Sequence, residues 1–557
     1  MAEGHSFDGE TVDVCVVGSG AGGGPVAHAL AAAGASVVVL EKGPWYKASD
    51  FNHDEIENAR RDMWVPLVED EPHLESVDGG PFRKTNNGWI AHCVGGGTVH
   101  MSGYFYRLHP EDFALAERYG SVEGANLADW PIRYGDLAPY YDLVERVVGV
   151  SGADGTHPFE PPRSGPFPLP PVNTNRLASL VEAGAKKVGA HPFQIPRGVL
   201  SRPHRGRRAC VYCDYCGSYG CESGAKSSTL ASLIPEAVAT GRCEVRTGCM
   251  AFEVGVDQQG NATGVRYFDE NGNTHEQKAK MVCLAASSIE SARLLLNSKS
   301  ARFPAGLANS NGLVGKNLTF STLAKGYGEF ERTSLPELLR PTPVSHFLDR
   351  AVQDYYFLSD NKEAFDKGGT IHFILPHRNA IFTAERLARR ANPPLWGTAL
   401  SQELVRYYSK VHQIEFEVFG EFLSSEGTYV STDEGLVDKW KIPVARIHLQ
   451  RHPKSVENVH VLAERGIDIL KAAGAHDTWT ESVGSTTYVL QHGTCRFGSD
   501  PEHSVLDSAC RSHEVKNLFV TDGSFMPTSG GVPTTLTILA NAFRSAEHMV
   551  RQLRGDA

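Results

Sequence analysis

The sequence predicts an α/β protein, with a Rossmann-type dinucleotide-binding domain and a second, discontinuous α+β domain. Residues 10–45 and roughly 225–300 alternate apolar runs with helical patterns, as parallel sheets require. Residues 320–480 contain alternating segments such as QIEFEVFGEFL at 413–423, which indicate a sheet with one exposed face. A chain of 557 residues is long enough for both domains.

The charge balance excludes some classes of function. The chain has 54 Lys and Arg against 65 Asp and Glu, a net charge of −11. Nucleic acids and anionic membranes are bound through basic faces, so neither is a predicted partner. The apolar stretch from Val14 to Leu40 is interrupted by GSGAGGG, so no transmembrane segment is predicted. The N-terminus lacks a basic leader, which favours a cytoplasmic location, with export alongside a signal-bearing partner subunit left open.

The first element is a strand–turn–helix–strand unit. The apolar run VDVCVV at 12–17 leads into GSGAGG at 18–23 and then into the small-residue helix PVAHALAAAG. A second apolar run, ASVVVL at 35–40, ends in Glu41. A GxGxxG turn between a strand and a helix, with an acid about 20 residues further on, indicates dinucleotide binding.

Each residue of that motif has a physical role. Gly18 permits the tight turn, Gly20 lets the backbone approach a pyrophosphate, and Gly23 lets helix and strand pack closely. The phosphates are expected at the helix N-terminus, and Glu41 is expected to accept hydrogen bonds from ribose hydroxyls. FAD is favoured over NAD, because the motif lies near the start of the chain and most of the protein follows it.

Two further segments are distinctive. Residues 153–172 include the proline-rich run GTHPFEPPRSGPFPLPP, which cannot form regular structure and predicts an extended connection between domains. Residues 534–553 predict an amphipathic helix, because apolar side chains recur at three- and four-residue steps. Thr534 or Thr535 is the expected N-cap.

Several motifs in a fixed order resemble the glucose–methanol–choline (GMC) family of FAD oxidoreductases, in particular its sugar and gluconate dehydrogenase and pyranose-oxidase-like branch. The resemblance covers nearly the whole chain. Beyond the N-terminal turn, the matching segments are VGGGTVH at 94–100, WPIRYGDLAPYY at 130–141, AASSIESARLL at 285–295, GLVGKNL at 312–318, GTCRFG at 493–498 and DGS at 522–524.

The resemblance implies a set of flavin-binding residues, and physical chemistry supports those at the start of the last helix. A helix N-terminus beginning near Thr534 and Thr535 carries partial positive charge, which suits an anionic reduced flavin. His100 is similar to a histidine that carries flavin covalently in the pyranose-oxidase branch, although Met101 follows it here instead of tryptophan. The other implied cofactor-binding residues are Gly95, Gly96 and Gly97 in the second glycine loop and Asp522 near the flavin ribityl and phosphate groups.

Alcohol oxidation needs a base for the hydroxyl proton, and histidine suits this near neutral pH. The family's usual histidine position is Leu490 here, and its later histidine or asparagine position is Pro533. His492 lies two residues beyond Leu490, so in an extended strand both side chains point to the same face. His492 is therefore the predicted catalytic base.

Four cysteines, Cys210, Cys213, Cys216 and Cys221, form a C-x2-C-x2-C-x4-C loop. Thiolates at such spacing can converge on a soft metal. Similar segments in sugar dehydrogenase flavoproteins of this family imply an iron–sulfur cluster that passes electrons to a cytochrome or small-subunit partner. Zinc and a metal-free loop beside the substrate entrance remain open. The neighbouring basic run SRPHRGRR at 201–208 either docks such a partner or is a solvated surface.

The sequence thus predicts FAD-dependent oxidation of a CH–OH group of a sugar, glycoside or polyol, with an acceptor other than oxygen. Two alternatives stay open: an oxygen-using pyranose or glycoside oxidase, and a flavin-retaining lyase or cyclase, because Leu490 and Pro533 replace usual catalytic residues. The predicted FAD-binding domain uses 8–150, 225–320 and 485–557, and the substrate-binding domain uses 151–224 and 321–484, with the cysteine-rich loop at 210–221.

Overall fold

The computed structural model describes residues 6–343, 345–359, 365–377 and 379–556. Its strands form three sheets. In chain order they are β1 (Val12–Val17), β2 (Val37–Leu40), β3 (His73–Val77), β4 (Arg83–Thr85), β5 (Phe193–Gln194), β6 (Cys243–Arg246), β7 (Met250–Val256), β8 (Ala262–Phe268), β9 (Thr274–Leu284), β10 (Thr319–Glu331), β11 (Arg350–Val352), β12 (Gly369–Ile374), β13 (Val411–Gly420), β14 (Tyr429–Val437), β15 (Pro443–Leu449), β16 (Asp477–His492) and β17 (Leu518–Val520).

The α-helices alternate with these strands along the chain. They are α1 (Gly23–Ala32), α2 (Glu55–Ala59), α3 (Leu115–Tyr119), α4 (Tyr134–Val144), α5 (Ala178–Lys187), α6 (Leu233–Ala239), α7 (Ser288–Asn297), α8 (Ala380–Arg390), α9 (Gly397–Lys410), α10 (Pro453–Ala473) and α11 (Thr535–Arg554). Within the described ranges, no helix is both long and apolar enough to cross a membrane.

The first sheet has the order β6-β2-β1-β9-β8-β7, and β17 also pairs with β9. The strands β6, β2, β1, β9 and β17 run parallel, and the β1–α1–β2 crossover is the predicted dinucleotide-binding unit. Nearly every residue of β1 and β2 is apolar and buried, as is typical of a parallel strand that is covered on both faces. Helices α1 and α11 pack against each other beside it, which fixes the start of α11 near the β1–α1 turn.

The second sheet is antiparallel, with the order β16-β10-β13-β12-β11-β5. Helices α5 and α10 cover one face, and their apolar side chains pack on those of β10, β12 and β13. The opposite face contributes Lys325 and Glu417 to a cavity that the glycine-rich turn after β1 also lines. The sheet expected over 320–480 is therefore present, interrupted by the helices α8, α9 and α10, which the sequence pattern did not indicate.

The third sheet has the order β14-β15-β3-β4 and joins distant parts of the chain. Its β15 pairs parallel to β3, so that Arg446 lies beside Leu74. The predicted domain segments 8–150 and 321–484 thus share a sheet, and the predicted boundary at 484/485 lies inside β16. Residues 153–172 contain neither helix nor β-strand, as the proline content indicated.

Candidate active site

The glycine-rich turn after β1 forms one end of a cavity of about 460 Å³. Gly18 has φ +95°, and a side chain there would meet the Ala285 carbonyl oxygen at 2.4 Å. A Cβ on Gly23 would lie 1.9 Å from the carbonyl oxygen of Gly18, so only glycine allows α1 to start so close to the turn. Gly18 and Gly20 line the cavity, and the residues fit a cofactor diphosphate at a helix N-terminus.

Glu41 directly follows β2 and is held in place by hydrogen bonds. One carboxylate oxygen accepts from the Ser19 hydroxyl at 2.6 Å and from the Ser19 amide at 3.1 Å, and the other accepts from the Gly43 amide at 3.0 Å. Burial raises the pKa of Glu41, and these hydrogen bonds oppose that rise. The carboxylate lines the cavity and retains lone pairs for ribose hydroxyls.

Ser19 connects the two glycine loops, a role that the sequence reading missed. Its hydroxyl oxygen also accepts from the Gly95 amide at 2.9 Å, while it donates to Glu41. Gly95 has φ +96° and packs behind the loop, whereas Gly96 and Gly97 line the cavity. The only sequence signal for this role is a hydroxyl residue at the first variable position of GxGxxG.

His100 lies at the cavity surface and stacks on Trp64, with ring centroids 5.2 Å apart. Its Nε2 donates to the Ile90 carbonyl oxygen at 3.1 Å. Burial lowers the pKa of His100 to about 3, so the ring is neutral near neutral pH. These contacts fix the orientation of the imidazole in the cavity wall.

Asp522 follows β17 and lies against the glycine turn. Its carboxylate accepts from the Ser291 hydroxyl at 2.5 Å and from the Ser524 amide at 2.9 Å. A side chain on Gly22 would meet the Asp522 amide nitrogen at 2.7 Å, so the two segments are in direct contact. Burial raises the pKa of Asp522, with the serine hydroxyls opposing. Its place in the cavity wall fits a contact with the ribityl or phosphate groups of a flavin.

His492 is the last residue of β16 and is fully buried, at 0% exposure. Its Nε2 lies 2.7 Å from the hydroxyl of Thr534, which occupies the N-cap position of α11. Its Nδ1 has no hydrogen-bond partner among the described residues. Burial lowers the pKa of His492 to about 3. The site therefore contains a neutral imidazole with Nε2 fixed at the start of α11 and with Nδ1 unpaired among the described residues.

The two departures from the family pattern have different surroundings. Leu490 lines the cavity with Val489, Gln491 and His492, so the last four residues of β16 all border this space. Pro533 is buried and precedes the start of α11 without lining the cavity. Thr534 and Thr535 do line it, so the N-terminus of α11 faces the same space as His492.

The sheet opposite contributes charged groups that the sequence reading missed. Lys325 on β10 lies 2.9 Å from both Glu415 and Glu417 on β13. Lys325 and Glu417 line the cavity together with His377, which follows β12. The alternation of glutamate and phenylalanine at 415–417 in a predicted strand was the available signal, since it places two carboxylates on one face.

The cysteine-rich loop forms another wall of the cavity, through Gly217 and Ser218. Cys213 is exposed and Cys216 is buried, while Cys210 and Cys221 are half-buried, and all four are free thiols. Across the described part of the chain, no group of three or more His, Cys, Asp or Glu side chains is arranged to hold a metal. The four thiols as arranged do not fit an iron–sulfur cluster.

A buried lysine fixes this loop instead. The Lys226 ammonium donates to the carbonyl oxygens of Cys216 and Tyr219, both at 2.7 Å, and to that of Met101 at 3.0 Å. Met101 is next to His100, so the lysine ties the cysteine loop to the cavity wall. Asp214 adds a second tie, because its carboxylate accepts from the His346 amide at 2.7 Å.

The Rossmann-type sheet and its glycine turn open onto a cavity that an antiparallel sheet and a buried histidine also line. This arrangement is typical of a dinucleotide-dependent enzyme. Two models of the GMC oxidoreductase family match residues 77–322 and 424–542. The chain is 33% identical to 2-methyl-1,2-propanediol dehydrogenase of Mycolicibacterium austroafricanum, covering 98% of this chain and 96% of that protein. The chain belongs to the GMC oxidoreductase family, and the predicted resemblance is confirmed.

Two further comparisons agree with this assignment. The chain is 30% identical to 6'''-hydroxyparomomycin C oxidase of Streptomyces lividus, over 98% of this chain and 92% of that protein. The crystal structure of pyridoxine 4-oxidase from Mesorbium loti superposes with a TM-score of 0.61 at 18% identity, covering 98% of this chain and 99% of that one. The last similarity concerns the fold alone, and it confirms the predicted fold class.

Proposed function

We propose that this FAD oxidoreductase oxidises a CH–OH group of a sugar, glycoside or polyol. The single observation that carries the proposal is the neutral, buried His492, whose Nδ1 has no partner and which lines the same cavity as the glycine turn. FAD, when bound, supplies the hydride acceptor. The relatives named after 2-methyl-1,2-propanediol and 6'''-hydroxyparomomycin C support a hydroxylated substrate.

His492 takes the hydroxyl proton in this proposal. We assign the ring proton to Nε2, which lies 2.7 Å from the Thr534 hydroxyl oxygen and then donates to it, so that Nδ1 is the acceptor. The lowered pKa keeps the imidazole unprotonated at neutral pH, so Nδ1 is available before substrate binds. The N-terminus of α11, which begins next to Thr534, stabilises negative charge that develops nearby.

The test is an anaerobic visible spectrum of the FAD-bound protein with a panel of sugars, glycosides, polyols and mono-alcohols. We expect at least one polyhydroxylated compound to bleach the flavin bands. His492→Ala is expected to slow bleaching about 10²–10⁴-fold while keeping the flavin, whereas His503→Ala, at a largely exposed position, serves as the matched control. A flavin that no alcohol of the panel bleaches would overturn the proposal and favour non-redox chemistry.

We further infer that the electrons pass to an acceptor other than oxygen, in part because the 33% identical relative is named a dehydrogenase. The 30% identical oxidase makes oxygen the competing acceptor. Reoxidation of the reduced protein by air and by a quinone or dye, measured side by side, separates the two. Reoxidation by air as fast as by the dye would contradict the dehydrogenase assignment.

A protein acceptor, such as a cytochrome or small subunit, is part of the same proposal. Arg202 and Arg208 of the basic run are exposed and offer a docking face for an acidic partner. The proposed route does not use the cysteine loop, because its thiols lie in different environments. Iron analysis of the purified protein tests the remaining iron–sulfur prediction: about three to four irons per flavin would require the cluster.

A further inference from the structure

The sheet face across the cavity contains a cross-strand ion pair. Lys325 of β10 and Glu417 of β13 are direct partners in the antiparallel register, with the ammonium 2.9 Å from the carboxylate. One third of the Lys325 side chain stays exposed, and both residues line the cavity. An ammonium donates and a carboxylate accepts, so the pair presents both kinds of hydrogen-bonding group side by side.

Further charged groups lie around this pair. Glu415 binds the same Lys325 ammonium at 2.9 Å without lining the cavity. Burial raises the pKa of Glu415, and both Lys325 and Arg386 lie close enough to oppose that rise. Lys325 is therefore paired with a carboxyl group on each side, and Arg386 lies near Glu415. Such paired charges favour a neutral ligand that both donates and accepts hydrogen bonds.

A neutral group completes the site. His377 lines the cavity, and its buried Nε2 has no hydrogen-bond partner among the described residues. Burial lowers the pKa of His377 to about 3, so the ring adds no charge near neutral pH. Gly217 of the cysteine loop lies against it, because a side chain there would meet the ring at 3.2 Å.

We propose that Lys325, Glu417 and His377 form a subsite for further hydroxyl groups of the substrate, so that neutral vicinal diols and polyols are selected over mono-alcohols. Lys325 donates to one hydroxyl oxygen, and Glu417 accepts from the neighbouring hydroxyl. A mono-alcohol of the same length displaces the water that is hydrogen-bonded to the ion pair. It offers no hydroxyl group to replace those hydrogen bonds, so it binds more weakly. This inference rests on the proposed alcohol oxidation and adds the substrate feature that the enzyme recognises.

The experiment compares the panel's polyols with their deoxy analogues, each lacking one hydroxyl, as substrates for anaerobic flavin reduction by the FAD-bound protein. The wild type is expected to prefer the polyol by about 10²-fold or more in kcat/KM. In Glu417→Gln and in Lys325→Met that ratio is expected to fall by at least about 10-fold, because each variant removes a charge-assisted hydrogen bond.

Glu415→Gln is the matched control, since it removes an equivalent ion pair with Lys325 outside the cavity. It is expected to keep the wild-type ratio. An unchanged ratio in Glu417→Gln, or an equal fall in Glu415→Gln, would overturn the subsite. A mono-alcohol as the best substrate would overturn it as well, while leaving alcohol oxidation itself intact. Failure of every alcohol to bleach the flavin would instead contradict the proposed function.

Discussion

At the scale of single residues, the protonation state of His492 decides how activity depends on pH. The environment lowers the pKa of His492 to about 3 through burial, whereas an exposed histidine titrates near 6.5. A base with an ordinary pKa would lose about 10-fold of its neutral form between pH 7 and pH 5.5. The neutral form of His492 persists over this range.

We therefore expect the rate of flavin reduction by a saturating substrate to change less than about 2-fold between pH 7 and pH 5.5. Rapid mixing of the FAD-bound protein with substrate measures this rate directly, and the flavin spectrum before mixing controls for unfolding. A rate that falls with an apparent pKa near 6.5 would show that His492 is not the buried base inferred from the geometry.

The residues of the site differed in how far the sequence could predict them. Gly18, Gly20 and Glu41 lie in a local motif whose spacing fixes their geometry, so they could be assigned from sequence. Ser19 could not, since its role depends on Gly95, which approaches only in the folded chain. Lys325 is a similar case, because its partner Glu417 comes from a strand about ninety residues away.

At the scale of elements, the loop before α11 positions Thr534. The Ser529 amide and hydroxyl donate to one Glu421 carboxylate oxygen, at 2.8 and 3.0 Å. Gly531 has no room for a side chain, since a Cβ would lie 2.7 Å from the Tyr356 ring and 2.9 Å from the Cα of Gly369. The loop is therefore tightly constrained just before the helix whose N-terminus lines the cavity.

Gly531→Ala is expected to displace this loop and lower the flavin reduction rate about 10-fold or more, because a shift near 1 Å at a catalytic group costs up to about 10² in rate. Flavin reduction and bound flavin per chain are the measurements. Gly165→Ala is the matched control, since Gly165 is exposed, has no contact within 4 Å of an added Cβ and has no positive φ. Equal activity of both variants would contradict the constraint.

The cysteine loop allows a second test at this scale. A Cβ on Gly217 would lie 2.6 Å from the Ser102 hydroxyl oxygen, and Lys226 fixes the loop from behind. Gly217→Val is expected to narrow the cavity and raise KM about 10-fold, with a smaller change in kcat, because substrate binding is obstructed while His492 stays in place. Steady-state kinetics with the best panel substrate measures KM and kcat separately. A lower kcat at unchanged KM would contradict the expectation that Gly217→Val obstructs substrate binding.

Elements with strong local patterns were predicted well, and those formed by distant pairing were not. The strand β1 and the helix α11 have continuous periodicity, and the structure places them at Val12–Val17 and Thr535–Arg554. The pairing of β3 with β15 joins residues more than 350 positions apart, which no local pattern encodes. Helices α8 and α9 bury few side chains, only Thr383 and Leu387 in α8 and none in α9, and the sequence analysis did not recognise them.

At the scale of the whole molecule, the protein buries many histidines in their neutral form. Burial lowers the pKa of each, while the unfolded chain titrates near 6.5. Buried examples are His100, His109, His372 and His492. Below pH 6.5 the unfolded state therefore binds protons that the folded state does not. Stability from these groups is fully present above about pH 7 and is lost as pH falls towards their folded pKa values.

The free energy of unfolding is expected to fall between pH 7 and pH 5.5 by about 1 kcal/mol for each such histidine. Burial raises the pKa of Glu421 to about 7 and also raises the pKa values of Glu41, Glu415 and Asp522, and these carboxyl groups act in the opposite direction. They are fewer than the described histidines whose pKa burial lowers. Urea unfolding of the FAD-bound protein at the two pH values, followed by tryptophan fluorescence, measures the change. Equal stability at both would contradict the assignment of neutral buried histidines.

His372 isolates the contribution of one histidine. It is fully buried, neither ring nitrogen has a partner among the described residues, and it packs between Tyr104 and Tyr106 at centroid distances of 4.6 and 5.1 Å. Phenylalanine has a similar shape and does not titrate. His372→Phe is therefore expected to reduce the loss of stability between pH 7 and pH 5.5 by about 1 kcal/mol, with activity retained, because this side chain lies outside the cavity. If the variant loses as much stability as the wild type over that range, acid sensitivity does not arise from buried neutral histidines and must come from other titrating groups.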